Sequence, residues 1–233
     1  TRLMLTTEAQ ENEMGEKSYR EFMAKAAPSR NRVYVGMVER VGRRLAAVAG
    51  KPDYKWEFTV VESKEVNAFC LPGGKIVFYT GIMPMFENEA ELAVVMGHEI
   101  AHAVLRHGGE RMSQAMAANV VGSILGALTE KDGKRELYMA AFGGITTVGL
   151  ILPYSRKHEY EADETGTLFT AKAGYAPDAA VSFWQKMMKQ GGARPPEFLS
   201  THPADNKRVE YLRKLMPRMK QVYSAAAEKH GYG

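Results

Sequence analysis

Residues 94–109 read VVMGHEIAHAVLRHGG and place two histidines and a glutamate inside an apolar helical run. Each buried imidazole or carboxylate costs free energy unless a partner replaces the lost water. His98 and His102 are four residues apart, so on a helix their side chains lie on one face, about 5–6 Å apart. Two imidazole nitrogens at this spacing can reach one zinc ion, and such an ion would satisfy these polar side chains together.

Glu99 follows His98 directly and is rotated from it by about 100° around the helix. At that angle its carboxylate can reach a metal-bound water without binding the metal itself. The alternative is a pair of core histidines that are four residues apart by coincidence, which would leave three polar side chains unsatisfied in an apolar helix. The pattern H-E-x-x-H therefore favours a hydrolytic metal site over this alternative.

A third protein ligand is needed, because catalytic zinc sites normally combine three protein ligands with one water. The extended motif H-E-x-x-H-x-x-G-x-x-H does not supply it, since Leu105 and Gly108 stand where that motif has its glycine and its last histidine. His107 lies about 140° around the helix from His102. We interpret His107 as a helix-terminal residue near exposed carbonyl groups, where a cation is favoured.

The stretch SRKHEYEADETG at residues 155–166 offers the missing carboxylate. Glu159 and Asp163 are four residues apart and share one helix face, whereas Glu161 points roughly 160° away from that line. Glu159 would complete a His₂Glu ligand set, and Asp163 could accept the far N–H of a ligating histidine. The alternative is a solvated acidic helix face, which is the usual meaning of a charged run.

The chain has 233 residues, of which 45% are hydrophobic and 25% charged, and we expect one soluble globular domain over 1–233. The net charge is +4 with basic residues scattered among acidic ones, so no nucleic-acid partner is expected. Cys70 is the single cysteine, which excludes an intrachain disulfide and a multi-cysteine zinc site. The chain begins with Thr1, and we expect that a targeting leader has been removed.

The spacing of apolar residues and the positions of Gly and Pro predict a mostly helical chain with one small sheet. Gly108-Gly109 is expected to end the helix that carries the histidine pair, and Pro217 to end the C-terminal helix. The predicted segments are N-terminal helices over 1–50, a small sheet over 54–81, the active-site helix over 88–107, a helical hairpin over 115–153, a third-ligand helix over 155–174 and a C-terminal helix over 203–216.

Two apolar stretches, 115–129 and 139–153, require a comparison with the thickness of a bilayer. Each holds about 14 apolar or small residues, which make roughly 21 Å of helix. A bilayer core is about 30 Å thick. We therefore predict a buried or membrane-touching hairpin rather than a pair of true membrane spans.

The blocks HEIAH, EYEAD, STHPADNKR and NAFCLPGGKIVFYTG, in their order and spacing, resemble the CAAX prenyl protease/HtpX family of zinc metalloendopeptidases over residues 30–216. The resemblance is strongest to the soluble periplasmic members. It implies an α+β, mostly helical fold with a zincin-like (gluzincin) core and a small β-sheet whose edge strand borders the active-site helix. It also implies one Zn²⁺ per chain bound by His98, His102 and Glu159, with Glu99 as general base.

The resemblance implies roles for further residues. His202 falls on a family position that helps to stabilise the developing oxyanion, and Arg208 matches an arginine that supports this region. The strand KIVFYT resembles the family's edge strand, to which an extended polypeptide substrate could add through main-chain hydrogen bonds. From the residues alone, a histidine before proline is equally a helix-entry residue, and Pro-Gly-Gly is equally a plain turn. The residues expected to shape the edge are Asn67, Ala68, Gly73, Gly74 and Val77.

The predicted function is a zinc-dependent endopeptidase that hydrolyses unfolded or misfolded proteins with a metal-activated water. We expect a role in envelope protein quality control, in the periplasm or on the periplasmic side of a membrane. A contact with a membrane surface or an outer-membrane assembly is expected through 115–153. The alternatives are a zinc-stabilised, chaperone-like binding module without turnover and a membrane protease with lipid-embedded substrates. The sequence makes no prediction of the oligomeric state, and it is compatible with a loop or histidine in the fourth zinc position.

Overall fold

The computed structural model describes the backbone of residues 1–127 and 153–233, and the side chains of residues 1–118 and 153–233. This part of the chain is mostly helical with one small sheet, which confirms the predicted fold class. The division of the chain into a single domain stays a prediction. The α-helices are α1 (Glu8–Lys25), α2 (Arg32–Ala46), α3 (Glu89–Val104), α4 (His107–Ala127), α5 (Arg156–Lys172), α6 (Ala179–Lys189), α7 (Glu197–Thr201) and α8 (Asn206–Ser224). The strands are β1 (Glu57–Val61), β2 (Ala68–Leu71) and β3 (Lys75–Tyr79), and a 3₁₀ helix at Thr80–Met85 follows β3.

The predicted hairpin over 115–153 is covered only in part, since α4 extends to Ala127 and residues 128–152 lie outside the described residues. Among the helices that the structure describes, none combines the length and the apolar character needed to cross a bilayer. The expected membrane contact through this hairpin stays a prediction.

The sheet has the strand order β1–β3–β2, with β1 parallel and β2 antiparallel to β3. A tight turn at Pro72, Gly73 and Gly74 folds β3 back along β2, and the two glycines have φ angles of 86° and 92° that other residues rarely adopt. KIVFYT therefore forms the central strand, and the prediction that it is the edge strand is wrong, because β1 and β2 cover its two sides. The edge strand that packs against α3 is β2.

Helix α3 forms the centre of the core. Asn88 caps its first turn by accepting a hydrogen bond from the backbone N–H of Glu91. Every residue from Ala90 to Ala103 is buried, and the helix packs against β2 and against α5. The polar side chains within α3 are therefore cut off from bulk water and depend on partners inside the protein.

Two glycines permit a close crossing of α3 and α5, here called the Gly97–Gly166 crossing. A Cβ atom on Gly97 would lie 2.5 Å from the carbonyl oxygen of Gly166, and a Cβ atom on Gly166 would lie 2.7 Å from the backbone nitrogen of His98. The hydroxyl of Thr170 donates to the carbonyl oxygens of Ala93 at 3.2 Å and Gly166 at 2.9 Å. The crossing thus brings the first turns of α5 next to the histidines of α3.

The turn between α3 and α4 differs from the prediction. Helix α3 ends at Val104, Arg106 adopts a left-handed backbone conformation with φ of 59°, and α4 begins at the next residue and continues through the two glycines. The guanidinium of Arg106 donates to the carboxylate of Glu11 at 3.0 and 2.6 Å. The prediction of one helix over 88–107 that ends at the glycines is wrong, because this ion pair stabilises an earlier break.

Helix α8 also differs from the prediction. It begins at Asn206, where the Asp205 side chain accepts a hydrogen bond from the backbone N–H of Arg208, and it continues through Pro217. The buried face of the helix extends past the proline, since Met219 is fully buried. The prediction that the helix stops before Pro217 is wrong, because packing of this face outweighs the hydrogen bond that a proline removes.

Candidate metal centre

His98 and His102 lie one turn apart on α3, and Glu159 comes from the first turn of α5. Nε2 of His98 is 2.9 Å from Oε2 of Glu159, Nε2 of His102 is 3.2 Å from Oε1 of Glu159, and the two Nε2 atoms are 3.1 Å apart. These separations are close to the value of about 3.3 Å expected for ligands 2.0–2.1 Å from one tetrahedral zinc ion. The structure thus brings together the three residues that the sequence proposed as ligands, and none is more than 2% exposed.

The donor set itself fits a divalent cation. Oε2 of Glu159 is buried and receives no well-aligned hydrogen bond from the residues that the structure describes. The facing Nε2 atoms of His98 and His102 cannot both carry a proton at 3.1 Å. Imidazole nitrogens and carboxylate oxygens are ligands that zinc prefers, so one such ion would satisfy the buried oxygen and both nitrogens.

Asp163 and Arg208 support this ligand set from behind. Oδ1 of Asp163 lies 3.1 Å from Nδ1 of His98, as expected for a carboxylate that fixes the far nitrogen of a ligating histidine. Arg208 holds Asp163 in a bidentate pair, with Nε–Oδ2 at 2.8 Å and Nη2–Oδ1 at 2.7 Å. Nη2 of Arg208 is also 3.1 Å from Oε2 of Glu159, and its guanidinium lies 4.1 Å above the ring of Trp184. The roles of Asp163 and Arg208 stay predictions, but both side chains lie where a supporting role requires.

The charges of the site shift the pKa values of its groups in different directions. Burial alone would lower the pKa of His98, but the carboxylates of Glu159 and Asp163 outweigh burial and raise this pKa to about 9. Burial dominates at His102 and holds its pKa well below the usual range. At Glu159 burial is outweighed by His202 and other positive charges, so its pKa lies well below the usual value. In the metal-free protein at neutral pH, His98 is therefore protonated and Glu159 is ionised.

His202 lies between two carboxylates at the end of α7. Its Nε2 is 2.9 Å from Oε1 of Glu99, and its Nδ1 is 2.9 Å from Oε1 of Glu159 and 3.3 Å from Nε2 of His98. His202 thus belongs, with His98, His102 and Glu159, to a group of four residues whose possible ligand atoms lie within 4.8 Å of one another. This position matches a histidine in the fourth place of a metal site as well as it matches an oxyanion partner.

Glu99 is fully buried next to the ligand set and is not part of it. Among the described residues neither of its oxygens receives a well-aligned hydrogen bond, although Nε2 of His202 lies close. Both carboxylate oxygens are therefore available to accept a proton from a group bound beside the ligand set. The position agrees with the predicted general base.

Comparison with known proteins places the chain in a family. Residues 35–216 match peptidase family M48. The chain belongs to this family. The family resemblance found in the sequence is therefore confirmed.

Several relatives of the chain have names that describe them as proteases. The chain is 35% identical over 213 residues to the mitochondrial metalloendopeptidase OMA1 of Schizosaccharomyces pombe, covering 89% of this chain and 61% of the relative. It is 36% identical over 183 residues to the Homo sapiens metalloendopeptidase OMA1, covering 75% of this chain and 35% of the relative. It is 28% identical over 227 residues to the β-barrel assembly-enhancing protease of Escherichia coli, covering 94% of this chain and 46% of the relative. The chain thus spans between about a third and three fifths of the length of these relatives.

The residues of this M48 chain that were predicted to contact substrate do not all lie near the metal ligands. Asn67 and Ala68 lie at the start of the edge strand β2, where the Asn67 side chain accepts a hydrogen bond from the N–H of Ala68. Val77 lies on the central strand, buried in a cluster on the side of α1, and is not brought to the site. A Cβ atom on Gly73 would approach Asn12 of α1, so the Gly73-Gly74 turn lies against α1. Their substrate roles stay predictions.

Tyr154 and Cys70 lie beside this M48 site, and neither was predicted from the sequence as a site residue. The ring of Tyr154 stacks on His102, with centroids 3.7 Å apart and planes at 16°, and its hydroxyl is 3.8 Å from Sγ of Cys70. Burial and the Glu99 carboxylate raise the pKa of the Cys70 thiol well above its usual value. The available signal was position: Tyr154 immediately precedes Ser155, the N-cap of the helix that carries Glu159.

Proposed function

We propose that the chain is a zinc-dependent endopeptidase that hydrolyses peptide bonds of unfolded or misfolded proteins. The observation that carries this proposal is the convergence of His98, His102 and Glu159 beside the separate carboxylate of Glu99. A site that only bound metal for stability would have no use for this fourth buried polar group. Relatives with the names metalloendopeptidase and protease support the same reaction class.

The residues of the chain would divide the reaction among them. When bound, zinc would lower the pKa of a coordinated water and polarise the substrate carbonyl. Glu99 accepts the proton of the attacking water and delivers it to the leaving nitrogen. His202 stabilises the oxyanion, which requires its Nδ1 to move away from the ligand atoms beside which it lies.

The substrate is proposed to bind as an extended polypeptide along β2. This strand supports the proposal better than β3, because it is at the sheet edge and packs against α3. Main-chain hydrogen bonds to an edge strand recognise a peptide with little demand on its sequence. Such recognition suits a protease of unfolded proteins.

We also propose that the protein acts on the periplasmic side of a membrane, in protein quality control. Matches to the β-barrel assembly-enhancing proteases cover 94–95% of this chain, more than the 72–89% covered by the OMA1 relatives. A contact with a membrane surface or an outer-membrane assembly through 115–153 belongs to this proposal. Fractionation of the source cells tests it, and recovery of the protein in the cytosol would contradict it.

The test of the activity uses an unfolded protein such as casein, the purified chain and a chelator. We expect cleavage by the wild type, loss of cleavage after chelation and recovery on addition of zinc. Glu99→Gln should bind zinc as the wild type does and lose turnover by at least about 100-fold, since it removes the proton acceptor.

Glu91→Gln is the matched control for this substitution. Glu91 is a fully buried carboxylate on the same helix and is bound to Lys186 and Ser182, away from the ligand set. Its loss should lower stability and leave cleavage in place. Zinc-dependent thermal stability without any cleavage products would instead show a binding module, and cleavage by Glu99→Gln at the wild-type rate would rule out the assigned base.

A further inference from the structure

A buried histidine, His107, and a partly exposed carboxylate, Glu161, lie next to the ligand set and connect to it through His102. Nδ1 of His102 is 2.8 Å from Nδ1 of His107, and Nε2 of His107 is 2.8 Å from Oε2 of Glu161. Both imidazole rings are fully buried. The prediction that His107 is a helix-terminal residue near exposed carbonyl groups is wrong, because His107 begins α4 and is fully buried inside the core.

The positions of the protons on His102 and His107 follow if Nε2 of His102 binds the metal. A neutral imidazole that binds a metal through Nε2 carries its proton on Nδ1. That N–H points at Nδ1 of His107, which must accept and is therefore unprotonated. His107 then carries its own proton on Nε2 and donates it to the carboxylate of Glu161. With these protons, the hydrogen bond from His102 to His107 and the one from His107 to Glu161 each have one donor and one acceptor.

We propose that His107 and Glu161 are positioning residues, which fix the orientation and the tautomer of His102 so that its Nε2 faces the metal. This inference rests on the proposed zinc site. A carboxylate behind a ligating histidine is a common way to fix the ring, and here a second imidazole extends the reach of the carboxylate by one ring.

The other histidine of the site has a matching arrangement. His98 is backed directly by Asp163, which is bound to Arg208. Glu161, which backs His102 through His107, is bound to Arg2, and Arg2 also donates to the carbonyl oxygen of Leu105 at 2.7 Å. Each histidine of the proposed pair thus leads to a carboxylate that is held by an arginine.

The test measures the zinc affinity of the purified chain by competition with a chelator, independently of peptidase activity. His107→Phe keeps a ring of similar size and removes the acceptor, and we expect a loss of zinc affinity of about 10–100-fold. His107→Asn places a side-chain oxygen near the position of Nδ1, and we expect it to restore most of the affinity. Glu161 is partly exposed, so Glu161→Ala should keep the fold and cause a smaller loss of zinc affinity.

His158→Phe is the matched control. His158 is as buried as His107, stacks on it with ring centroids 4.4 Å apart, and is bound to Glu110 at 2.9 Å rather than to a proposed ligand. It should lose stability like His107→Phe and keep the zinc affinity of the wild type. The visible spectrum of the cobalt-substituted protein should likewise change in His107→Phe and stay unchanged in His158→Phe.

Two results would overturn the inference while the proposed function stands. One is a His107→Phe protein that binds zinc as tightly as the wild type. The other is an equal loss of affinity in His158→Phe, which would show a structural effect of the whole group. A wild type that fails to bind zinc would be a different result, because it would remove the proposed function itself.

Discussion

At the scale of single residues, Glu159 is the ligand that α5 contributes to the proposed metal site, whose two histidine ligands come from α3. Its two oxygens face Nε2 of His98 and Nε2 of His102 separately. We expect Glu159→Ala to lower zinc affinity by more than about 100-fold, beyond the loss caused by removing a supporting residue. Metal analysis of the purified variant and chelator competition measure this effect.

Glu164→Ala serves as the control for the Glu159 substitution. Glu164 lies on the same helix and is bound to Tyr211 and Arg218 near the surface. Its removal should leave the bound zinc unchanged. Full zinc retention by Glu159→Ala would disprove the assignment of Glu159 as the third ligand.

The sequence could predict those residues whose relation is local to one helix. His98, Glu99 and His102 are related by helical geometry alone, and so are Glu159 and Asp163, and the structure shows each group on the expected face. His107 could not be predicted in the same way. A left-handed residue, Arg106, lies between it and His102, so the angle computed for one continuous helix does not apply.

At the scale of elements, the Gly97–Gly166 crossing sets the distance between the histidine pair and Glu159. We expect Gly97→Ala to cost about 1–3 kcal/mol in the free energy of unfolding, because its methyl group would overlap the backbone of α5. The same displacement separates the ligands, so zinc affinity should fall together with stability. Denaturant unfolding of the metal-free protein and chelator competition measure the two effects.

Gly36→Ala on α2 is the control for this crossing. A Cβ atom at Gly36 has open space around it, so the change should stabilise the helix by about 0.5–1 kcal/mol and leave zinc affinity unchanged. If Gly97→Ala binds zinc normally, the crossing does not determine the site geometry.

Helices were more predictable than strand order for a physical reason. The periodicity of apolar residues reports which face of an element is buried, and this is enough to predict a mostly helical chain with one small sheet. Periodicity does not report which strand lies in the middle of a sheet, and the family resemblance alone placed β3 at the edge, whereas the structure places it in the centre. Helix ends also depend on tertiary contacts, such as the Arg106–Glu11 pair and the buried face of α8 beyond Pro217.

At the scale of the whole molecule, the metal-free protein should lose stability as the pH rises from about 6.5 to about 9. The pKa of His98 is raised from 6.5 to about 9 in the folded state, so protonation of His98 favours folding. This contribution is complete below pH 6.5 and disappears as the pH passes through about 9. Unfolding free energies of the chelator-treated protein at several pH values measure it.

His98→Gln is the control for this pH dependence, because it removes the titrating group from the site. The metal-free variant should show a flatter dependence of stability on pH over the same interval. An equal slope in the variant and the wild type would assign the effect to other groups.

The order of the ligands along the chain has a consequence for biosynthesis. A ribosome releases α3 long before α5, which carries Glu159, and α8, which carries Arg208, is released later still. A nascent chain therefore offers two histidines without the carboxylate that completes their set, and without the guanidinium that holds this carboxylate in place. The proposed ligand set and its supporting guanidinium are therefore complete only after Arg208 has been translated.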